Sequence, residues 1–206
     1  MFTNADQFLN KRDDLLQYIS SSAPSIILIV EVIPKAQVLP ISIAHFALPG
    51  YTPYHNFNPD DSHLGASGIR GVCIFAHNSL QVSEVSFSTP FSEQVWLRVE
   101  LARNDALLIG NLYRSPSSTE NNNNDLCKLL EEVSRAQYSH LLIVGDFNYG
   151  DIDWARGLSK GSTTQYSPIP QVSGANQGLL SDAACSSPYP VSAWPDPPCA
   201  GPHIYQ

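Results

Sequence analysis

A layered α/β sandwich, of the α+β kind rather than a doubly wound parallel sheet, is the architecture that the first 160 residues predict. Three observations lead there. Short continuous apolar runs have the length of buried strands, and other segments alternate apolar and polar residues with a period of two. Amphipathic helical segments stand between some of these strands, while from Gly71 onward short turns make most of the connections.

Leu9 to Ile19 carries apolar residues on one side at helical spacing, and Pro24 breaks the pattern. Ile26-Ile27-Leu28-Ile29-Val30 is a continuous run of the buried-strand type, and Gly71 to Ala76 reads as another strand. Val95, Leu97, Val99 and Leu101 alternate with Trp96, Arg98 and Glu100, as in a strand with one core face. Asp105 to Leu112 pairs with it through a turn at Ala102 to Asn104. The tract Asn121 to Asn124 suits an exposed loop that supplies a helix cap. Leu126, Leu129, Leu130 and Val133 then follow at i, i+3, i+4 and i+7 of an amphipathic helix. His140 to Val144 is the last buried strand and ends at Gly145.

After Lys160 the pattern stops. Residues 161–206 hold half of the chain's 16 prolines and no Lys or Arg, a density incompatible with helix or central strand. The expected organisation is a folded domain over residues 1–160 and a disordered Pro/Ser-rich tail over 161–206.

The 43% hydrophobic content suits a packed core. No apolar run approaches the ~18 residues of a membrane span, and Asn4, Asp6 and Lys11 follow Met1 too closely for a secretory signal. The expectation is a soluble intracellular protein of the cytoplasm or nucleus, without a membrane partner. Cys73, Cys127, Cys185 and Cys199 form no CxxC pair and stand beside no metal-spaced histidine, which argues against zinc. The formal charge of −8 argues against a surface that stores DNA, because phosphate contact uses Lys and Arg. It suits a site that cuts phosphates, with a bound cation offsetting the acids.

Val144-Gly145-Asp146-Phe147-Asn148 brings a carboxylate and a carboxamide, two residues apart, to the end of a buried strand. A carboxylate there can orient an attacking water, and an amide can hydrogen-bond a phosphoryl oxygen without adding charge. The same four letters also compose an ordinary turn. Glu31 follows five buried-type apolar residues at the end of a second strand. Alone it reads as a residue leaving the sheet; with Asp146 and Asn148 it makes a candidate magnesium site, completed by water.

Thr3-Asn4-Ala5, Leu9-Asn10-Lys11-Arg12-Asp13-Asp14-Leu15 and Ile27-Leu28-Ile29-Val30-Glu31 resemble the opening of the endonuclease/exonuclease/phosphatase superfamily. Gly68 to Phe75, Glu93 to Leu97, Asn111-Leu112-Tyr113-Arg114-Ser115-Pro116 and Ile143 to Asn148 continue the likeness, in order, to about Trp154. It is nearest to the apurinic-like endonuclease of non-LTR retrotransposons. The resemblance implies a four-layer sandwich, Mg²⁺ or Mn²⁺ as cofactor, and DNA as substrate. It implies that Glu31 and Asn4 hold the metal, that Tyr113 contacts the scissile phosphate, and that Asp146 aligns the nucleophilic water beside a phosphate-holding Asn148. Arg114, and with less force Arg70, are candidates to hold a phosphate. His45, His55, His63, His77 and His140 have no motif around them and read as surface or packing.

The chain departs from that pattern at both ends. Little of a first strand precedes Asn4, and no second aspartate or terminal Ser-Asp-His is recognisable. Ser181-Asp182-Ala183 lacks the histidine, and His203 is no better placed. Residues that act as a unit fail together, so the expected activity is nil or very low. The alternatives are a catalytically silent phosphate- or nucleic-acid-binding remnant, or another phosphatase branch of the superfamily.

Overall fold

The computed structural model describes residues 1–35, 43–58, 68–150, 152–153, 158–159 and 203–205. The first sheet is built from β1 (Phe2–Asn4), β2 (Ile26–Val30), β3 (Tyr51–His55) and β4 (Val72–His77), with helix α1 (Phe8–Ser22) between β1 and β2. Its strand order is β1-β2-β4-β3, with β1 parallel to β2 and the other pairs antiparallel. The second sheet begins with β5 (Val82–Val85), β6 (Gln94–Glu100) and β7 (Ala106–Tyr113). Helix α2 (Glu120–Arg135) then crosses to β8 (His140–Asp146), which runs parallel to β7. Two short antiparallel strands, β9 (Ile152–Asp153) and β10 (Leu158–Ser159), pair with each other. The last strand, β11 (His203–Tyr205), lies parallel to β8, giving the order β11-β8-β7-β6-β5.

Alternation along each strand sorts the side chains into layers. In β2, Ile27 and Ile29 pack with Phe8, Leu15 and Phe75 beneath α1, whereas Leu28 and Val30 join Val72, Ile74, Val95, Leu97 and Ile109 between the sheets. A strand buried on both faces must read as a continuous apolar run, and this one does. On the far side Trp96, Leu108, Leu112 and Ile143 meet Leu126, Leu129 and Val133 of α2. The order helix, sheet, sheet, helix is the four-layer sandwich. Among the described residues no helix is long and apolar enough to cross a membrane.

Four expectations need correction. Three residues suffice for the first strand: Phe2, Thr3 and Asn4 pair in register with Leu28, Ile29 and Val30. The asparagine tract is not a capping loop but lies inside α2, because Thr119 takes the cap, its Oγ1 accepting from the Asn122 N–H at 3.3 Å. Both faces of β6 are core: Trp96 is 2% exposed, while Leu101, expected in the core, is 40% exposed beyond the strand end. In the tail, residues 203–205 form a strand directly after Pro202, where a backbone N–H becomes available again at each position. The rest of that tail, with Ser181-Asp182-Ala183, lies outside the described residues.

Two glycines set the close approach of β7 to its neighbours. Gly110 stands opposite Trp96, where a Cβ would lie 2.2 Å from the indole ring. Gly145 stands opposite Leu112, where a Cβ would lie 2.2 Å from the Leu112 carbonyl oxygen. Flexible side chains can yield; a ladder carbonyl cannot without parting the strands. Gly145→Ala should therefore cost about 3 kcal/mol, read as a lower midpoint in urea denaturation.

Candidate active site

The four strands that carry the expected residues deliver them to one end of the sandwich. Asn4 closes β1, Glu31 directly follows β2, Tyr113 closes β7 and Asp146 closes β8. Asn4 Nδ2 donates to Asp146 Oδ2 at 3.1 Å, joining the two sheets. Tyr113 is the register partner of Asp146, and its phenol lies near enough to Glu31 to feel that carboxylate's charge. Burial, with the Glu31 charge second, pushes the phenol well above its ordinary value, so it acts as a neutral donor. Eight non-glycine residues among those described have positive φ, and four of them, Asp6, Gln7, Glu31 and Asn148, belong to this end. Such strain concentrates where surrounding contacts over-determine the backbone.

Asp146 is held on both oxygens. Oδ2 accepts from Asn4, and Oδ1 accepts from the Asn148 N–H at 3.2 Å. Asn148 Nδ2 in turn donates to the Arg114 carbonyl at 2.8 Å. Arg114 does not face a cleft as a phosphate ligand would: it is buried beneath the 147–149 turn. Its Nη1 donates to the Phe147 and Asn148 carbonyls at 3.2 Å, Nε donates to Asn123 Oδ1 at 2.8 Å, and the guanidinium lies 4.0 Å from the Tyr149 ring centre. These contacts support a positioning part for Arg114, as the clip that shapes the turn carrying Asn148.

Three further residues complete the cluster. Arg70 Nη2 lies 2.6 Å from Glu31 Oε2 and 2.9 Å from Asp6 Oδ1. Glu93 grips the backbone behind it, Oε1 accepting from the Arg70 N–H at 3.2 Å and Oε2 from the Gly71 N–H at 2.8 Å. Gly71 has φ +72°, and a Cβ there would meet Ile33 and Phe57 at 2.8 and 2.9 Å, so only glycine suits this turn. The sequence offers Arg70 only as a phosphate ligand and does not single out Asp6 or Glu93. The i+2 spacing of Asp6 from Asn4 is a usable signal; the loop that seats Arg70 against Glu93 leaves none.

This arrangement does not fit a resident Mg²⁺ or Mn²⁺ at Glu31 and Asn4. Glu31 already carries the guanidinium, and Asn4 turns Oδ1 to the Asp6 N–H at 3.0 Å. Among the described residues no three Asp, Glu, His or Cys side chains converge as metal ligands. Two like unit charges ~4 Å apart repel by about 4 kcal/mol at an effective dielectric near 20, and a divalent ion doubles that. The described histidines stand apart as expected. His77 and His140 sit at the opposite strand ends, and His55 Nδ1 contacts the Phe57 carbonyl oxygen at 2.8 Å.

Burial pushes the Glu93 carboxyl up to about 7, against the opposing pull of the two N–H groups and Arg70. The folded state therefore keeps a proton that the unfolded chain releases near its ordinary value of 4.5. Folding stability from this group is full below the unfolded value and falls as pH rises through about 7. Denaturation midpoints across this window should show the decline, and Glu93→Gln should flatten it.

Residues 2–200 match the model of the Endonuclease/Exonuclease/phosphatase family, spanning both sides of the division expected at Lys160. No curated protein matches the chain. Among solved structures it is similar to the endonuclease domain of TRAS1, a telomere-specific non-LTR retrotransposon. Identity is 14% over 75% of this chain and 61% of that one, with a TM-score of 0.53. It is also similar to a 3′ phosphatase, NExo, from Neisseria bound to a product DNA hairpin, at 14% identity over 75% and 59% of the two chains and a TM-score of 0.49. An AP endonuclease from Archaeoglobus fulgidus matches at 14% identity over 75% and 58%, again with a TM-score of 0.49. The chain thus spans about three fifths of the length of these structures. At such identity the likeness to the TRAS1 domain speaks for the fold alone, and the family match, over nearly the whole chain, speaks for descent: the chain belongs to the endonuclease/exonuclease/phosphatase family.

Proposed function

We propose that this chain is a phosphodiester-hydrolysing domain derived from a retrotransposon DNA endonuclease, with nil or very low remaining activity. The observation that carries the reading is the Asn4–Asp146 hydrogen bond, which joins two sheets at the end where Glu31 and Tyr113 also meet. The fold shared with the TRAS1 endonuclease domain supports the branch.

In this reading Asp146, held on both oxygens, takes the proton of a water that attacks a DNA phosphorus. The P–O bond opposite the incoming oxygen breaks, and the departing 3′-oxygen takes up a proton from solvent. The Tyr113 hydroxyl and the Asn148 amide hydrogen-bond the non-bridging oxygens, adding no repulsive charge. Two features slow the step. Among the described residues no histidine stands ready to protonate the leaving group. Glu31 is neutralised within the chain, so the cation that the family's chemistry calls for has no open ligand set here.

Supercoiled plasmid incubated with purified, folded protein checks this, with Mg²⁺, Mn²⁺ or EDTA and an Asp146→Ala control. The expected result is nicking at or near background in every lane. Robust metal-dependent nicking lost in Asp146→Ala would keep the site and overturn the loss of activity. Robust nicking that survives Asp146→Ala would overturn the site itself.

A further inference from the structure

We infer that Arg70 is the resident cation of this site: its guanidinium takes the place beside Glu31 where a divalent metal would bind, and it keeps metal affinity low. Three observations carry this. The guanidinium bridges two carboxylates of different elements, Glu31 after β2 and Asp6 before α1, at 2.6 and 2.9 Å. Arg70 is 6% exposed and its backbone is fixed from behind by both oxygens of Glu93, so the charge is built in and is not a surface side chain that has folded over. Its Nε and Nη1 are buried without a hydrogen-bond partner among the described residues. A buried donor left unpartnered costs stability, so the side chain is not seated to maximise its own hydrogen bonding. Its one productive nitrogen serves the two acids.

The consequence is a selectivity for the chain's own monovalent cation over an external divalent one. Glu31, paired with the guanidinium, offers little to an ion from solution. The inference rests on the proposed location of the site at Glu31 but not on DNA as substrate. Metal binding is measured without any cleavage, so the two readings fail separately.

Mn²⁺ titrated into the whole purified chain, with free ion read by electron paramagnetic resonance, tests it. Wild-type protein should show only weak binding, unchanged in Glu31→Gln. Arg70→Met, which keeps the length and removes the charge, should bind Mn²⁺ about tenfold to a hundredfold more tightly, and Arg70→Met/Glu31→Gln should lose the gain. Arg70→Met leaves a carboxylate without its counter-charge and will be less stable. For that variant Mn²⁺ should therefore raise the melting temperature, which it should not do for wild type. Tight wild-type binding lost in Glu31→Gln would overturn the inference, as would an Arg70→Met protein that Mn²⁺ neither binds nor stabilises.

Discussion

The two sheets meet across an apolar layer that has no directional preference of its own, and one buried amide supplies the direction. Asn111 projects from β7 into that layer, and its Nδ2 donates to the Ile29 carbonyl at 2.9 Å and the Cys73 carbonyl at 3.0 Å. Ile29 and Cys73 are themselves register partners in the first sheet, so the amide spans a single rung of the β2–β4 ladder. Residues two apart on a strand face the same way. Tyr113, two positions beyond Asn111, therefore points into the same layer, at the end where Glu31 follows β2. A slip of the sheets by one rung would part them. The register of the whole site is thus set in the core.

Charge at that end is handled from within. A chain of formal charge −8 gathers Asp6, Glu31, Glu93 and Asp146 into one region, where the buried Arg70 guanidinium answers Asp6 and Glu31. Asp146 accepts from neutral donors, Asn4 and the Asn148 N–H. Glu93 takes backbone N–H groups and positions the cation without pairing with it. The four acids thus play different parts. Asp146 is tied to the opposite sheet and to its own turn, Glu31 and Asp6 hold the cation, and Glu93 shapes the loop that presents it.

Much of this was legible in the residues. Runs such as Ile26 to Val30 announce doubly buried strands because both faces demand the same chemistry, and Leu126, Leu129 and Val133 announce a helix because its stripe is narrow. β3 was invisible because Pro53 interrupts its pattern, which only an edge strand tolerates, and β5 because its residues are half polar at the other edge. Glu31 and Asp146 could be named because each closes an apolar run that fixes where it goes, whereas Asn4 and Tyr113 were named by the resemblance alone. Arg70, Asp6 and Glu93 could not be grouped, since they come from three loops whose meeting depends on turns such as Gly71. Arg114 shows the opposite failure: its type suggested an anion, while its surroundings gave it carbonyls.

The Asn4–Asp146 bond closes 142 residues of chain, and the Asn111–Ile29 bond closes 82. Contacts this distant along the sequence are the slowest to offset their loop entropy, so the end that Asn4 and Asp146 share forms late in folding. On a ribosome the order is stricter. β2 and β4 are complete by His77, yet β7, which covers their inner face, is finished only at Tyr113. At about 5–20 residues per second, Leu28, Val30, Val72 and Ile74 wait a few seconds with no opposing sheet. The half-built sandwich is most exposed during that interval, and a chaperone that shields apolar surface would protect it more than any change at its finished surface.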